Sequence, residues 1–147
     1  MQFFGKIGLK SSPLVIISLI ESYCVSVLLY SAESFWWSKS MLNCYESCYS
    51  LAFMKIFKTF DKKIVEQCQY YMGQLPIELK IASKQISFFN SLRTSPNMIC
   101  RYLSGITDKR FELCNKYNIA NVDGYSNKMY LKKHLWSFFA NSVHSDV

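Results

Sequence analysis

The chain is predicted to be all-α, an irregular multi-helix bundle of about seven to eight helices. Three observations lead there. Apolar residues recur at helical spacing along several segments. Those segments open on Ser-Pro, Ser or Asp and several close on Gly, which are helix start and stop signals. No segment sustains the period-two alternation of a strand, and Asp123-Gly124 is the one dipeptide of hairpin type.

In chain order, Gln2 to Leu9 holds two glycines and reads as the tail of a helix. Ser12 is the expected cap of the next one, with Pro13 at its first position, where the missing N–H costs nothing. This helix runs through Ile20 and continues, bent, from Cys24 to Tyr30. An aromatic corner follows (Phe35, Trp36, Trp37), of which Phe35 and one tryptophan are expected to pack inward. Ser38 caps a long amphipathic helix. Placed at 100° per residue, Met41, Leu42, Tyr45, Cys48, Tyr49, Ala52, Phe53 and Ile56 share one arc, while Lys39, Asn43, Glu46, Ser47 and Ser50 fall outside it. Asp61 caps the next helix, whose apolar stripe is Ile64, Val65, Cys68, Tyr71 and Met72, and Gly73 stands at its left-handed exit. Leu75-Pro76 opens a helix to about Leu92 that buries Leu79, Ala82, Ile86 and Phe89 and turns Lys80, Lys84, Ser87 and Ser91 outward. Ser95-Pro96 opens a short helix carrying Met98, Ile99, Tyr102 and Leu103 and ending at Gly105. Thr107-Asp108 caps a segment with Phe111, Leu113, Cys114 and Tyr117. Asn121 to Gly124 is a turn. Ser126 or Asn127 opens the last helix, to about Ala140, packing Leu131, Leu135 and Phe138 and leaving Lys128, Lys132 and Lys133 in water. The softest boundary is Arg93 to Pro96, dividing the chain into residues 1–92 and 93–147.

A length of 147 residues, half of them hydrophobic, with three prolines and five glycines, suits one packed domain and excludes a disordered composition. Seventeen basic against ten acidic residues give +7, which favours an anionic partner over a neutral one. The six cysteines read as reduced, mostly buried thiols, since a chain this long and apolar needs no disulfide framework. Leu14 to Tyr30 has thirteen apolar or aromatic residues of seventeen, but Glu21 near its middle argues for a buried helix over a signal peptide or a membrane span. An intracellular chain without membrane contact is the expectation.

No catalytic constellation emerges. Cys44 and Cys48 at i, i+4 supply two thiols, but a closed zinc site needs four ligands and neither His134 nor His144 stands at matching spacing. No two acidic residues are adjacent, and no cofactor or metal is expected. The densest basic group is Lys55, Lys58, Lys62 and Lys63. Lys55 and Lys58 sit at a helix C-terminus, where a cation is favourable by about 0.3–1 kcal/mol without any ligand. Lys62 and Lys63 lie in a first turn, where the helix dipole disfavours cations and free amides favour phosphate.

Several stretches also resemble a known family. Leu28-Leu29-Tyr30-Ser31-Ala32-Glu33, then Met54-Lys55-Ile56-Phe57-Lys58-Thr59, are similar to the region after the catalytic palm in reverse transcriptases of non-LTR (LINE-type) retrotransposons. Phe4-Gly5-Lys6-Ile7-Gly8 upstream and Cys68-Gln69-Tyr70-Tyr71-Met72-Gly73-Gln74-Leu75-Pro76 downstream stand in the matching order, so the resemblance covers roughly the first hundred residues. The chain departs from it at Ser31, where the family usually has Gly, and at Ser26, where it often has Pro. The metal-binding Asp pair of the palm is not in these residues.

The resemblance implies a thumb-like fragment of an RNA-directed DNA polymerase, with no enzyme activity of its own. It implies an RNA or DNA duplex held by its backbone through Lys55, Lys58, Lys62 and Lys63, with Lys6, Lys39, Lys80 and Lys84 as weaker contacts. It also makes Met1 fall within an interior helix, as in a truncated copy. The competing expectation is a helical interaction module whose apolar face docks a partner protein or the missing palm.

Overall fold

A computed structural model describes residues 12–35, 37–106, 109–119 and 128–145. The all-α class is the observed one, with seven helical runs and no strand among the described residues. The first run is α1 (Pro13–Leu19), a π-helical segment (Ile20–Val25) and α2 (Ser26–Leu28). Then come α3 (Lys39–Phe57), α4 (Lys62–Tyr71), α5 (Ile77–Thr94), α6 (Met98–Ile106), α7 (Lys109–Lys116) and α8 (Lys128–Ser145). The expectations for Gln2 to Leu9, Trp36, Thr107-Asp108 and residues 121–124 fall outside the described residues.

The local chemistry accounts for most boundaries. Ser38 Oγ accepts the Met41 N–H at 3.2 Å to start α3, and Asp61 Oδ1 accepts the Lys63 N–H at 2.8 Å to start α4. Pro13 stands in the first turn of α1, where Ser12 contributes its carbonyl rather than its hydroxyl. Gly73, at φ +69°, ends α4: the Gln74 N–H reaches back to the Gln69 carbonyl at 2.8 Å, closing the left-handed exit that a residue without Cβ adopts at no steric cost. Asn97, not Ser95, caps α6, its Oδ1 accepting the Ile99 N–H at 2.9 Å.

Helix α5 is the axis of the molecule. One face, with Leu75 just ahead of the helix, joins Leu79, Ala82 and Ile86 to Cys114, Tyr117 and Ile119 and to Leu131, Leu135, Phe139 and Val143 of α8. The opposite face adds Ile77 and Ile81 to a second core of Ile17, Val25, Leu29, Ala32, Tyr49, Phe53 and Val65. The periodicity of α5 carries both stripes, so a helix buried on two sides is what its sequence requires.

Other faces differ from expectation. The run from Pro13 to Ser34 is long and apolar enough to cross a bilayer by length and composition, yet it is not a buried helix. It covers only Ile17, Val25, Leu29 and Ala32 and leaves Leu14, Val15, Tyr23, Val27 and Tyr30 exposed. In α6, Met98, Ile99, Tyr102 and Leu103 also face outward, and it is Cys100 and Ser104 that are half-buried. Phe35 is exposed, whereas Trp37 is half-buried and donates its Nε1–H to the Ala32 carbonyl at 2.8 Å. In α4, Ile64 and Tyr71 are exposed while Gln69 is buried, because α4 packs between α3 and α8 and needs two covered sides. In α8, Phe139 takes the inward place expected of Phe138. The thiols are free, but Cys24, Cys44 and Cys48 are exposed rather than buried.

Candidate nucleic-acid interface

The four lysines of the predicted site lie on the corner between α3 and α4, and all are exposed. Lys55 is in the last turn of α3. Lys58 is its C-terminal cap, in the left-handed region at φ 53°, ψ 40°, and its N–H closes on the Met54 carbonyl. That left-handed residue turns the chain through Thr59 and Phe60, the latter 95% exposed, into Asp61 and the first turn of α4. Lys58 and Lys62 are four residues apart, so their Cα atoms lie within about 15 Å whatever the turn.

Acidic neighbours limit part of this site. Lys62 stands 4.0 Å from Glu66, an exposed i, i+4 pair, and borders a depression that also holds Glu46 and Glu78. Glu46 has a structural task. Its Oε2 accepts the Glu78 N–H at 3.4 Å, so a carboxylate from α3 serves as anion at the N-terminus of α5, which Pro76 does not cap. Burial pushes the Glu46 carboxyl above the ordinary value, against the hydrogen bonds from Glu78 and Ile77. No carboxylate pairs with Lys58 or Lys63 among the described residues, and Lys63, two residues after the Asp61 cap, has its side chain in water.

The weaker candidates separate. Lys39 is exposed at the start of α3, and Lys6 lies outside the described residues. Lys80 does not face outward. Its Nζ donates to Glu21 Oε1 at 2.6 Å, to the Tyr49 hydroxyl at 2.8 Å and to Gln74 Oε1 at 3.2 Å, while Tyr49 donates to the same Glu21 oxygen at 2.6 Å. The ammonium also sits 4.7 Å from the centre of the Tyr49 ring. Burial lowers the Lys80 ammonium despite Glu21, and it raises the Tyr49 phenol, as does the Glu21 carboxylate. Lys84 is exposed, but its Nζ donates to the Leu29 carbonyl at 2.8 Å, holding the end of α2. Both lysines thus fasten the first helical run to α5.

This node escaped sequence reasoning, although one signal pointed to it. An acidic residue in an apolar run must find a partner when the run packs, and Glu21 does so at the π-helical segment. Among the described residues no cluster of three or more metal-ligating side chains occurs.

No family model, no curated protein and no solved structure matches the chain.

Proposed function

We propose that this chain is a helical nucleic-acid-binding fragment, similar to the thumb and post-palm region of a LINE-type reverse transcriptase, that holds a duplex by its phosphates without reading bases and performs no polymerisation itself. The observation carrying this reading is the exposure of Lys55, Lys58, Lys62 and Lys63 on one helix-turn-helix corner, two of them without a carboxylate partner among the described residues. Sequence-independent binding needs cations and shape, both of which such a corner offers. The family resemblance gains support from one backbone feature: Ser31, where the family usually has Gly, has φ +56°, in the region glycine adopts freely. Ser26, where the family often has Pro, departs from it, since its N–H is bonded to the Glu21 carbonyl, a bond proline could not make.

A labelled RNA–DNA hybrid bound at low salt and displaced by heparin is the expected result. Failure to bind at low salt, or binding that heparin leaves intact, overturns it. The second reading, a module that docks a partner protein, is favoured by the outward apolar residues of α6 and of the first helical run. A contact made there persists in heparin.

A further inference from the structure

A groove of about 490 Å³ runs along α5, between Glu33 and the start of α8. Its floor is low because Ser83, Ser87 and Ser91 follow one another at i, i+4 along α5, and Ser91 Oγ already donates to the Ser87 carbonyl. Lys84, Phe88, Lys132 and Glu33 complete the lining, which carries two positive charges against one negative. Lys84 spends one donor on Leu29 and keeps two.

Glu33 is the discriminating residue. Its Oε2 is covered and has no hydrogen-bond partner among the described residues, an arrangement that costs free energy until a donor arrives. The terminal carboxylate torsion is soft and nearly two-fold, so rotation presents the unsatisfied oxygen to whatever enters. A ligand suited to this lining has an anion for the lysines, paired hydroxyl donors for the carboxylate and a flat face for Phe88. The volume is within the range of small-molecule sites.

We propose that this groove binds a ribose 5′-phosphate unit with its base: hydroxyls on Glu33, phosphate toward Lys84 and Lys132 with the serine hydroxyls, base against Phe88. The unit arrives either as a free nucleotide or as one residue of an RNA strand. The site does not use the α3–α4 corner, so it stands or falls separately from the duplex reading.

The test is amide-resolved NMR titration of the full chain with adenosine 5′-monophosphate, its 2′,3′-dideoxy counterpart, and ten-nucleotide RNA and DNA. Expected are shifts at Glu33, Ser83 to Ser91 and Lys132, with the ribonucleotide bound more tightly than the dideoxynucleotide. Glu33→Gln should weaken the ribonucleotide about tenfold and leave the dideoxynucleotide unchanged. Lys132→Ala should weaken both, and Ser87→Leu, which fills the floor, should abolish both. If the ten-nucleotide RNA shifts the groove and the mononucleotide does not, the source is a strand; the reverse identifies a free nucleotide. Equal affinity for ribo and dideoxy forms, or shifts confined to residues 55–63, overturns the groove while leaving the corner intact. A groove that binds nucleotide in a chain whose duplex affinity ignores salt overturns the corner alone.

Discussion

The lysines of the α3–α4 corner and the lysine at the heart of the Glu21–Tyr49–Lys80 node are the same chemical group put to opposite uses. Lys62, whose side chain is 73% exposed, stands 4.0 Å from a carboxylate that is itself in water. Lys80, 13% exposed, stands 2.6 Å from a carboxylate that is 25% exposed, with two further acceptors around it. Solvent screens the first pair until it contributes a few tenths of a kcal/mol, and its ammonium is left for a ligand. Burial binds the second so closely to the fold that no ligand can claim it. Charge counted along a sequence cannot separate the two; packing does.

The comparison is broken most forcefully at Lys80. Lys80→Met leaves Glu21 without its cation and Tyr49 without its donor and should cost about 2–4 kcal/mol in urea unfolding, whereas Lys62→Met should stay within about 0.5 kcal/mol. Adding Glu21→Leu to Lys80→Met should recover part of the loss, since an apolar pair of similar size removes the stranded charge. Equal costs at the two lysines would erase the distinction.

A second test uses pH. Burial, then the Glu78 carboxylate, push the Tyr117 phenol up to about 12, and Tyr49 is raised as well. A folded pKa above the unfolded one means that stability is fully present below the ordinary tyrosine value of about 10 and is lost as pH rises through the folded value. For Tyr117 the two-unit shift corresponds to about 2–3 kcal/mol lost between about pH 10 and 12. Absorbance at the tyrosinate band should therefore show late-ionising phenols, one of which disappears in Tyr49→Phe and another in Tyr117→Phe. Titration curves that lose no late component in either variant would contradict the burial of these rings.

The smallest effect is at the turn joining the first helical run to the rest. Ser31→Gly should stabilise by about 0.5–1 kcal/mol, since a side chain in the left-handed region carries strain that glycine lacks, partly offset by glycine's freedom when unfolded. Ser31→Ala should give no gain. A stabilising alanine would mean that the turn is not left-handed.

Much of the fold was legible because its signals are local. Ser38, Asp61, Gly73 and the inward stripe Leu79, Ala82, Ile86, Phe89 each act within a turn or two of helix, and each is found where expected. What escaped depends on partners distant in sequence. Lys80 turns inward because Glu21, fifty-nine residues earlier, packs against it. Glu46 leaves the polar side of α3 because the start of α5 lacks a cap of its own. Gln69 is buried because α4 is covered on two sides. The outward apolar residues of α6 obey helical periodicity perfectly well; periodicity says which residues share a face and is silent on which way that face turns. The exposure of Lys55, Lys58, Lys62 and Lys63 was legible for the converse reason, as a local run at a helix-turn-helix corner.

The central claim of the proposed reading is that the corner lysines meet the phosphates of a duplex and Lys80 does not. The slope of log affinity against log salt for a duplex, measured for the wild-type chain and for a Lys55→Gln, Lys58→Gln, Lys62→Gln, Lys63→Gln variant, tests it most directly. Each lost phosphate contact should flatten the slope by about 0.7–0.9, so the variant should lose about two to four such increments while its unfolding free energy changes little. A variant that binds with the wild-type slope would contradict the account.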